Sequence, residues 1–305
     1  MLGAMIQTHI ENKYPGDNPN RVAWRHEIVR ACTSFVESEL ADPKFVSELV
    51  SGEEHKFWSC LSEALIAQRL IDKKFPARPK PGVGPDFLVM DGERKIWIEV
   101  VCPEPVQLPD EWLDIQPNTV VSFPHEEILL RWTSAIKAKA ERLLGNEKRP
   151  EGYLASGIVA KEDAYVIAVN SCRLRHGPFP SLMGISQFPF AAEAAFGFGP
   201  FQITINKDTL EAVGTSYQHR PFVKNRNGAD VPAHTFLDPA FEPISAIWAV
   251  DLNGYSAFGG SEPMYVVHNP NAICPVSKGF LPSLHDYVAR LEGENYVLDR
   301  PGDER

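Results

Sequence analysis

The sequence lacks the two patterns that would direct it into a membrane or out of the cell. It has no stretch of 18 uninterrupted apolar residues, which a membrane-spanning helix requires. Its N-terminus also lacks the basic start and long apolar run of a secretory signal. We therefore expect a cytoplasmic protein with no membrane partner.

Positive charge is also in deficit. The formal net charge is -10 at pH 7 and the sequence pI is about 5.4. Proteins that bind nucleic acid or anionic membranes through their overall electrostatic field carry a net positive charge. Nucleic acid is therefore a candidate partner only through a local basic patch.

Cysteines are few, odd in number and far apart, with no spacing typical of metal ligands. Such usage suits reduced thiols in a reducing compartment. For each cysteine, packing in the core is favoured over a chemical role. The five residues are Cys32, Cys60, Cys102, Cys172 and Cys274.

Several common catalytic motifs are missing. The sequence contains no G-x-S-x-G nucleophile elbow, no P-loop and no H-E-x-x-H zinc motif, and its nine histidines do not pair at ligand spacing. With 305 residues, of which 44% are hydrophobic, the chain can nevertheless bury a large core.

Apolar periodicity predicts a mixture of helices and strands. The first 20 residues are polar and are expected to be a poorly structured lead-in, and residues 103–124 are proline-rich and expected to be a long excursion. One or two amphipathic helices are expected in residues 21–50. The stronger segments are helices from Glu53 to Leu70 and from His125 to Leu144, a buried strand from Ala164 to Asn170, and further strands at Phe201–Ile205, Ile244–Val250 and Met264–Val267.

The stretch from Gly82 to Val101 organises the chain, because it reads as two apolar strands joined by a charged Asp-Gly turn. Folding at that turn brings Asp86 near Glu99. Strand alternation puts Glu99 on the same face as Trp97 and Val101, in a mostly apolar row. Buried carboxylates are costly without a partner, and a divalent metal ion is one partner that can hold two of them.

Two charged residues lie among apolar residues on the predicted helices. Glu63, three residues after Cys60, is either a solvated charge at the helix edge or an inward carboxylate. Lys139 lies on the apolar stripe of its helix, whereas Lys137 does not. A lysine in that position either has a buried partner or extends its amine to the surface along its apolar stem.

The order of these features resembles the PD-(D/E)xK nuclease superfamily. The matching residues are Pro85-Asp86, the glutamate of Ile98-Glu99-Val100-Val101 thirteen positions on, and the upstream helical Glu63. The resemblance covers roughly residues 53–170. The chain also resembles a group of bacterial proteins without an assigned activity, which share a Gly-Pro-Asp-Phe motif, a Trp-Ile-Glu strand and an Arg-x-Thr-Ser-Ala-Ile helix.

The resemblance implies an α/β fold with a restriction-endonuclease-like αβββαβ core around a central mixed sheet. We accordingly divide the chain into an N-terminal helical segment (1–52), a nuclease-like core (53–175) and a β-rich C-terminal extension packed on that core (176–305). The implied activity is Mg²⁺-dependent hydrolysis of phosphodiester bonds in nucleic acid.

For this activity Asp86, Glu99 and Glu63 would hold Mg²⁺ or Mn²⁺, and Lys139 would orient water or stabilise developing charge. One difference from the superfamily pattern argues against this activity. The superfamily's motif lysine, two positions after the glutamate, is Val101 here. Superfamily members sometimes supply that amine from the following helix, where Lys139 lies. The alternative is a catalytically inactive relative that serves as a binding or partner-recognition module.

Two consequences follow for the folded protein. The Lys139 amine is expected to point to the carboxylates and the Lys137 amine away from them. Clustered carboxylates repel each other when no ion is bound, so replacing both Asp86 and Glu99 by alanine is expected to leave the fold intact in metal-free buffer.

Overall fold

A computed structural model gives the fold of most of the chain. Gly82, with which the predicted hairpin stretch begins, lies outside the described residues. The described residues are 2–75, 77–78, 83–177, 179, 182–254, 264–292 and 295–299.

Four helices begin the chain, and the remaining helices and strands follow them. The helices are α1 (Leu2–Lys13), α2 (Pro19–Glu37), α3 (Phe45–Leu49), α4 (Glu54–Asp72), α5 (Asp110–Leu113), α6 (His125–Leu144) and α7 (Phe190–Phe196). The strands are β1 (Ala77–Arg78), β2 (Phe87–Asp91), β3 (Arg94–Val101), β4 (Ala164–Asn170), β5 (Phe198–Ile205), β6 (Ala212–His219), β7 (Phe222–Lys224), β8 (Asp230–Pro232), β9 (Ala246–Val250), β10 (Met264–His268), β11 (His285–Glu292) and β12 (Asn295–Leu298).

A mixed sheet forms the centre of the molecule, with its strands in the order β1-β2-β3-β4-β9-β10-β11-β12. Strand β2 is antiparallel to both β1 and β3, whereas β3, β4 and β9 are parallel. Every residue of β4 is buried, as expected of a parallel strand covered on both faces. The predicted α/β class with a central mixed sheet is therefore confirmed.

Helices cover the two faces of this sheet. Helices α1 to α4 pack on the face that carries Ile98 and Val100. Helices α6 and α7 pack on the opposite face, which carries Trp97 and Ile167. Because side chains alternate along a strand, Glu99 belongs to the α6 face.

The strongest sequence predictions are confirmed. Helix α6 and strand β4 have the predicted bounds, and α4, β9 and β10 begin and end within two residues of theirs. Strand β5 begins three residues earlier than predicted. The excursion at 103–124 is irregular apart from the short α5, whose Trp112 is buried. Within the described residues, no helix combines the length and the apolar character needed to cross a membrane.

The prediction for the first 20 residues is wrong, because residues 2–13 form α1. Ile6 and Ile10, one helical turn apart, are fully buried against α2 and α3. Pro15 and Gly16 follow the helix, and Pro19 begins α2, a position where its missing N–H costs nothing.

The C-terminal strands extend the central sheet. Strand β9 pairs in parallel with β4, and β10, β11 and β12 follow from it. Only the hairpins β5–β6 and β7–β8 stand apart from this sheet among the described strands. A division of the chain after residue 175 therefore cuts through one continuous sheet.

Candidate active site

The hairpin of β2 and β3 brings Asp86, the residue before β2, next to the part of β3 that carries Glu99. Phe87 pairs with Ile98, so the register places the residue before Phe87 across from the residue after Ile98. The two-residue loop begins with Gly92, whose φ of 62° is a left-handed conformation that glycine adopts freely. The predicted hairpin is thus present, and a divalent ion shared by the two carboxylates stays a prediction.

Glu99 is fully buried and binds two cations through one oxygen. Its Oε1 accepts hydrogen bonds from Lys139 Nζ at 2.8 Å and from Arg142 Nη1 at 2.8 Å. The Glu99 side chain is 0% exposed and that of Lys139 is 12% exposed. Hydrogen bonds between ionised groups are among the strongest in proteins, so this cluster fixes α6 to β3.

Lys139 and Arg142 reach Glu99 because residues three apart lie on one face of a helix. The same face of α6 packs on the sheet through Trp132 and Ile136. Lys137 points away, with a side chain that is 71% exposed and 3.9 Å from Glu141. The predicted orientations of both lysines are confirmed.

Arg142 connects the buried carboxylate with solvent. Its side chain is half exposed, and its guanidinium also donates a hydrogen bond to the Tyr153 hydroxyl. On the inner side, the Tyr165 hydroxyl donates to the Lys139 carbonyl oxygen at 3.3 Å. The cluster is therefore closed to solvent beneath α6 and open to solvent beside Arg142, in the last turn of α6.

Asp86 is half-buried and is attached to β3 by its own hydrogen bond. Its Oδ2 accepts from the Val100 N–H at 2.7 Å. This contact holds the carboxylate beside the strand that carries Glu99. One oxygen of Asp86 is thereby committed to the backbone.

Electrostatics in the cluster act in opposite directions on Glu99. Burial raises the pKa of the Glu99 carboxyl, and the negative charge of Asp86 raises it further. The positive charges of Lys139 and Arg142 oppose both effects. The influence of Asp86 also shows that the two carboxylates are close enough to interact.

Asp86 and Glu99 supply two carboxylates, a number of protein ligands that Mg²⁺ commonly takes. Glu99 Oε2 is buried and has no hydrogen-bond partner among the described residues. Mg²⁺ is commonly held by one or two carboxylates, and water and substrate phosphate complete its shell. No group of three or more His, Cys, Asp or Glu side chains suited to a metal occurs in the described part of the chain. The two carboxylates therefore fit such an ion only if water or substrate supplies the other ligands.

Glu63, the third predicted carboxylate, lies apart from the other two. It is on α4, which packs on the opposite face of the sheet from Glu99. It is half-buried, on the side of the helix that also carries exposed Ser59. Its charge acts on Cys60, whose pKa is raised chiefly by burial. Glu63 is thus a charge at the helix edge, and the structure brings together Asp86 and Glu99 without it.

A cavity of about 280 Å³ lies beyond Glu99 at the end of β3. Val101 lines it together with Arg131, Ser134 and Ala135 of α6. Ala135 is one helical turn before Lys139, so the cavity borders the same face of α6 as the cluster. Val101 contributes an apolar wall here.

Arg142 is the member of the cluster that sequence reasoning missed. The helical period that selected Lys139 also places Arg142 over the sheet. A basic residue in the last turn of a helix is ordinary, however, because it complements the negative end of the helix dipole. The signal was therefore present but not distinctive.

The two cations also correct the argument from carboxylate repulsion. Removing Asp86 and Glu99 together relieves their repulsion but leaves Lys139 and Arg142 without their shared acceptor. Lys139 is mostly buried, and a buried cation without a partner is strongly unfavourable. The two cations therefore offset the repulsion between the carboxylates, and the effect of the double substitution in metal-free buffer stays a prediction.

Comparisons with known proteins give no match, since no family model, curated protein or solved structure matches the chain. A functional assignment must therefore come from the geometry of the cluster.

Proposed function

We propose that this chain is a metal-dependent nuclease that hydrolyses phosphodiester bonds of nucleic acid. The observation that carries the proposal is the Lys139 amine, which lies 2.8 Å from Glu99, while Asp86 is bonded to the N–H of the next residue of β3, Val100. Helix α6 thereby supplies the positive group that Val101 does not supply from β3.

The order of elements supports this proposal. Helix α4, strands β1 to β3, helix α6 and strand β4 follow one another, with only the short α5 inserted. This order agrees with the αβββαβ order that the proposed restriction-endonuclease-like core would have. The four strands are also neighbours in the sheet, in the order β1-β2-β3-β4.

Each residue of the cluster has a distinct part in the proposed chemistry. Asp86 and Glu99 would hold the divalent cation, which supplies a bound water of lowered pKa and neutralises charge on the phosphodiester. The Lys139 amine lies in a site with little solvent, where a fixed positive charge stabilises negative charge that develops on the phosphate. Arg142 is half exposed and would meet the entering substrate.

Local positive charge for nucleic acid is available beside Arg142. Lys148 and Arg149 are exposed and adjacent in the loop that follows α6, where Glu147 and Glu151 flank them. A small patch of this kind is consistent with a chain whose overall charge is negative, because only the residues near the site must attract phosphate.

A second candidate is a non-catalytic protein that keeps this fold as a binding or partner-recognition module. The observation that favours it is the double occupation of Glu99 Oε1 by Lys139 and Arg142. With Asp86 included, two negative and two positive groups are balanced without a metal ion. A buried network of this kind can serve to specify one packing arrangement.

Cleavage assays on labelled single- and double-stranded DNA and RNA separate the two candidates. We expect the purified chain to cleave at least one of these substrates when Mg²⁺ or Mn²⁺ is added. Lys139→Ala should reduce the rate by about 100- to 1,000-fold, because it removes a charge that acts on the transition state. Lys137→Ala, on the outer side of the same helix, should leave the rate nearly unchanged.

Thermal unfolding of both variants shows whether they are folded at the assay temperature. Lys139→Arg, which keeps a cation beside Glu99, provides a further control for folding. Absence of metal-dependent cleavage in the folded wild type, or equal loss in the two alanine variants, would contradict the nuclease and favour the non-catalytic module.

A further inference from the structure

Cys102 and Cys172 lie side by side at the ends of two neighbouring strands. Cys102 directly follows β3, and Cys172 follows β4, the parallel neighbour of β3. Their sulfur atoms are 3.9 Å apart, although the residues are separated by 70 positions in the sequence. Both are free thiols in this structure.

Cys102 is the accessible member of the pair. It is partly exposed and lines the cavity of about 280 Å³ together with Val101 and Arg131. Cys172 is only 6% exposed and lies behind it. A small reagent that enters the cavity therefore meets Cys102 first.

The surroundings make the two thiols unequal. The hydrogen bond with the Cys172 thiol contributes most to lowering the pKa of Cys102, and the Ser62 hydroxyl and the positive Arg173 add to it. Burial and the charge of Asp251 oppose this shift without reversing it. The same hydrogen bond, together with burial, raises the pKa of Cys172. The contact between the two thiols thus favours ionisation of Cys102 over ionisation of Cys172.

The other three cysteines lack these surroundings. Burial raises the pKa of Cys32 to about 12 and also raises that of Cys60. Cys274 is partly exposed, but burial of its sulfur raises its pKa, and its thiol donates to the Lys161 carbonyl at 3.4 Å. Cys274 is therefore a reference for the oxidation of a partly exposed thiol that is hydrogen-bonded to a carbonyl and not to a second thiol.

We propose that Cys102 and Cys172 form a redox-active pair in which Cys102 reduces a peroxide and Cys172 closes a disulfide. The Cys102 thiolate attacks one peroxide oxygen, the O–O bond breaks, and the departing hydroxide takes a proton to become water, which leaves Cys102 as a sulfenic acid. Cys172 then attacks the Cys102 sulfur, and the sulfenic hydroxyl leaves as a second water with the Cys172 proton. Two electrons pass from the two thiols to the peroxide.

Formation of the disulfide between Cys102 and Cys172 requires only a local movement of the two side chains. A disulfide bond is about 2.05 Å long, so the two sulfurs must approach by about 1.9 Å, a distance within reach of side-chain rotation. The inference does not depend on nuclease activity, since Asp86, Glu99 and Lys139 have no part in it.

Peptide mapping of the native chain after treatment with hydrogen peroxide tests this pair. We expect loss of two of the five thiols and a linked peptide that contains Cys102 and Cys172, both reversed by dithiothreitol. Cys172→Ser should stop at a sulfenic acid on Cys102 that dimedone traps. Cys102→Ser should leave Cys172 reduced.

Cys274→Ser is the matched control and should lose two thiols as the wild type does. Faster oxidation of Cys274 than of Cys102, or a Cys102–Cys172 link that forms only in denaturant, would overturn the proposal. Oxidation of Cys172 in folded Cys102→Ser at the wild-type rate would overturn it as well. The wild-type map needs no variant, so a variant that fails to fold leaves the test in place.

Discussion

Glu99 is held between opposing influences that a single substitution can separate. Its burial and the nearby Asp86 favour the protonated carboxyl, whereas Lys139 and Arg142 favour the carboxylate. The net effect is a raised pKa, so Glu99 keeps its proton to a higher pH in the folded protein than in the unfolded chain.

A comparison of wild type with Glu99→Gln across pH tests this direction in metal-free buffer. The unfolded carboxyl titrates near pH 4.5, so the contribution of Glu99 to the free energy of unfolding is fully present below that pH. It is lost as pH rises through the raised pKa, by about 1.4 kcal/mol for each pKa unit of difference. Urea unfolding should therefore show the stability advantage of wild type over the variant shrinking with rising pH. An advantage that grows with pH would mean that the two cations outweigh burial.

Some residues of the site could be predicted because local geometry alone fixes their faces. Strand alternation and the turn position set Asp86 opposite Glu99, and the helical period directs Lys139 to the sheet. The contact between Cys102 and Cys172 could not be predicted in this way. It depends on β3 and β4 being parallel neighbours and on the path that the chain takes after each of them.

At the scale of elements, α1 is a helix whose apolar periodicity was too weak for it to be predicted from the sequence. This helix contains the polar residues Thr8, His9 and Asn12 beside its two buried isoleucines, and Pro15 and Gly16 follow it closely. Long segments such as α6 have enough apolar positions to define a stripe, whereas a short helix with two buried residues does not.

Substitution of one residue in α1 should therefore have a large effect on stability. Ile6→Ala removes a fully buried side chain and should lower the free energy of unfolding by about 2–5 kcal/mol. Met5→Ala, at the adjacent position but 47% exposed, should change it by less than about 0.5 kcal/mol. Equal effects in chemical denaturation would mean that α1 does not pack on the fold as described.

At the scale of the whole molecule, one sheet unites segments that the sequence analysis separated. The αβββαβ pattern ends at β4, and this suggested a core complete near residue 175. β4 is nevertheless an internal strand of the sheet, because β9 pairs with the edge that β3 leaves open. Sequence periodicity shows that a strand is buried but does not show which later strand covers its edge.

The fragment 53–175 should consequently fail to fold alone. It would expose the edge of β4 that pairs with β9 and would lose α1, α2 and α3 from the other face of the sheet. An unpaired edge on a buried parallel strand favours aggregation. We expect the fragment to be insoluble or to lack a cooperative thermal transition. A soluble fragment that melts cooperatively would show that residues 176–305 are dispensable for the core.

The central claim is that Asp86 and Glu99 together bind a divalent cation, and calorimetric titration of Mn²⁺ into the metal-free chain tests it most directly. The account predicts saturable binding by wild type and its loss in Asp86→Asn, which keeps an oxygen to accept from the Val100 N–H. Asp91→Asn, at the other end of β2, alters only a pair with Arg94 at 3.1 Å and should bind as wild type does. Absence of saturable binding in wild type, or unchanged affinity in Asp86→Asn, would contradict the claim.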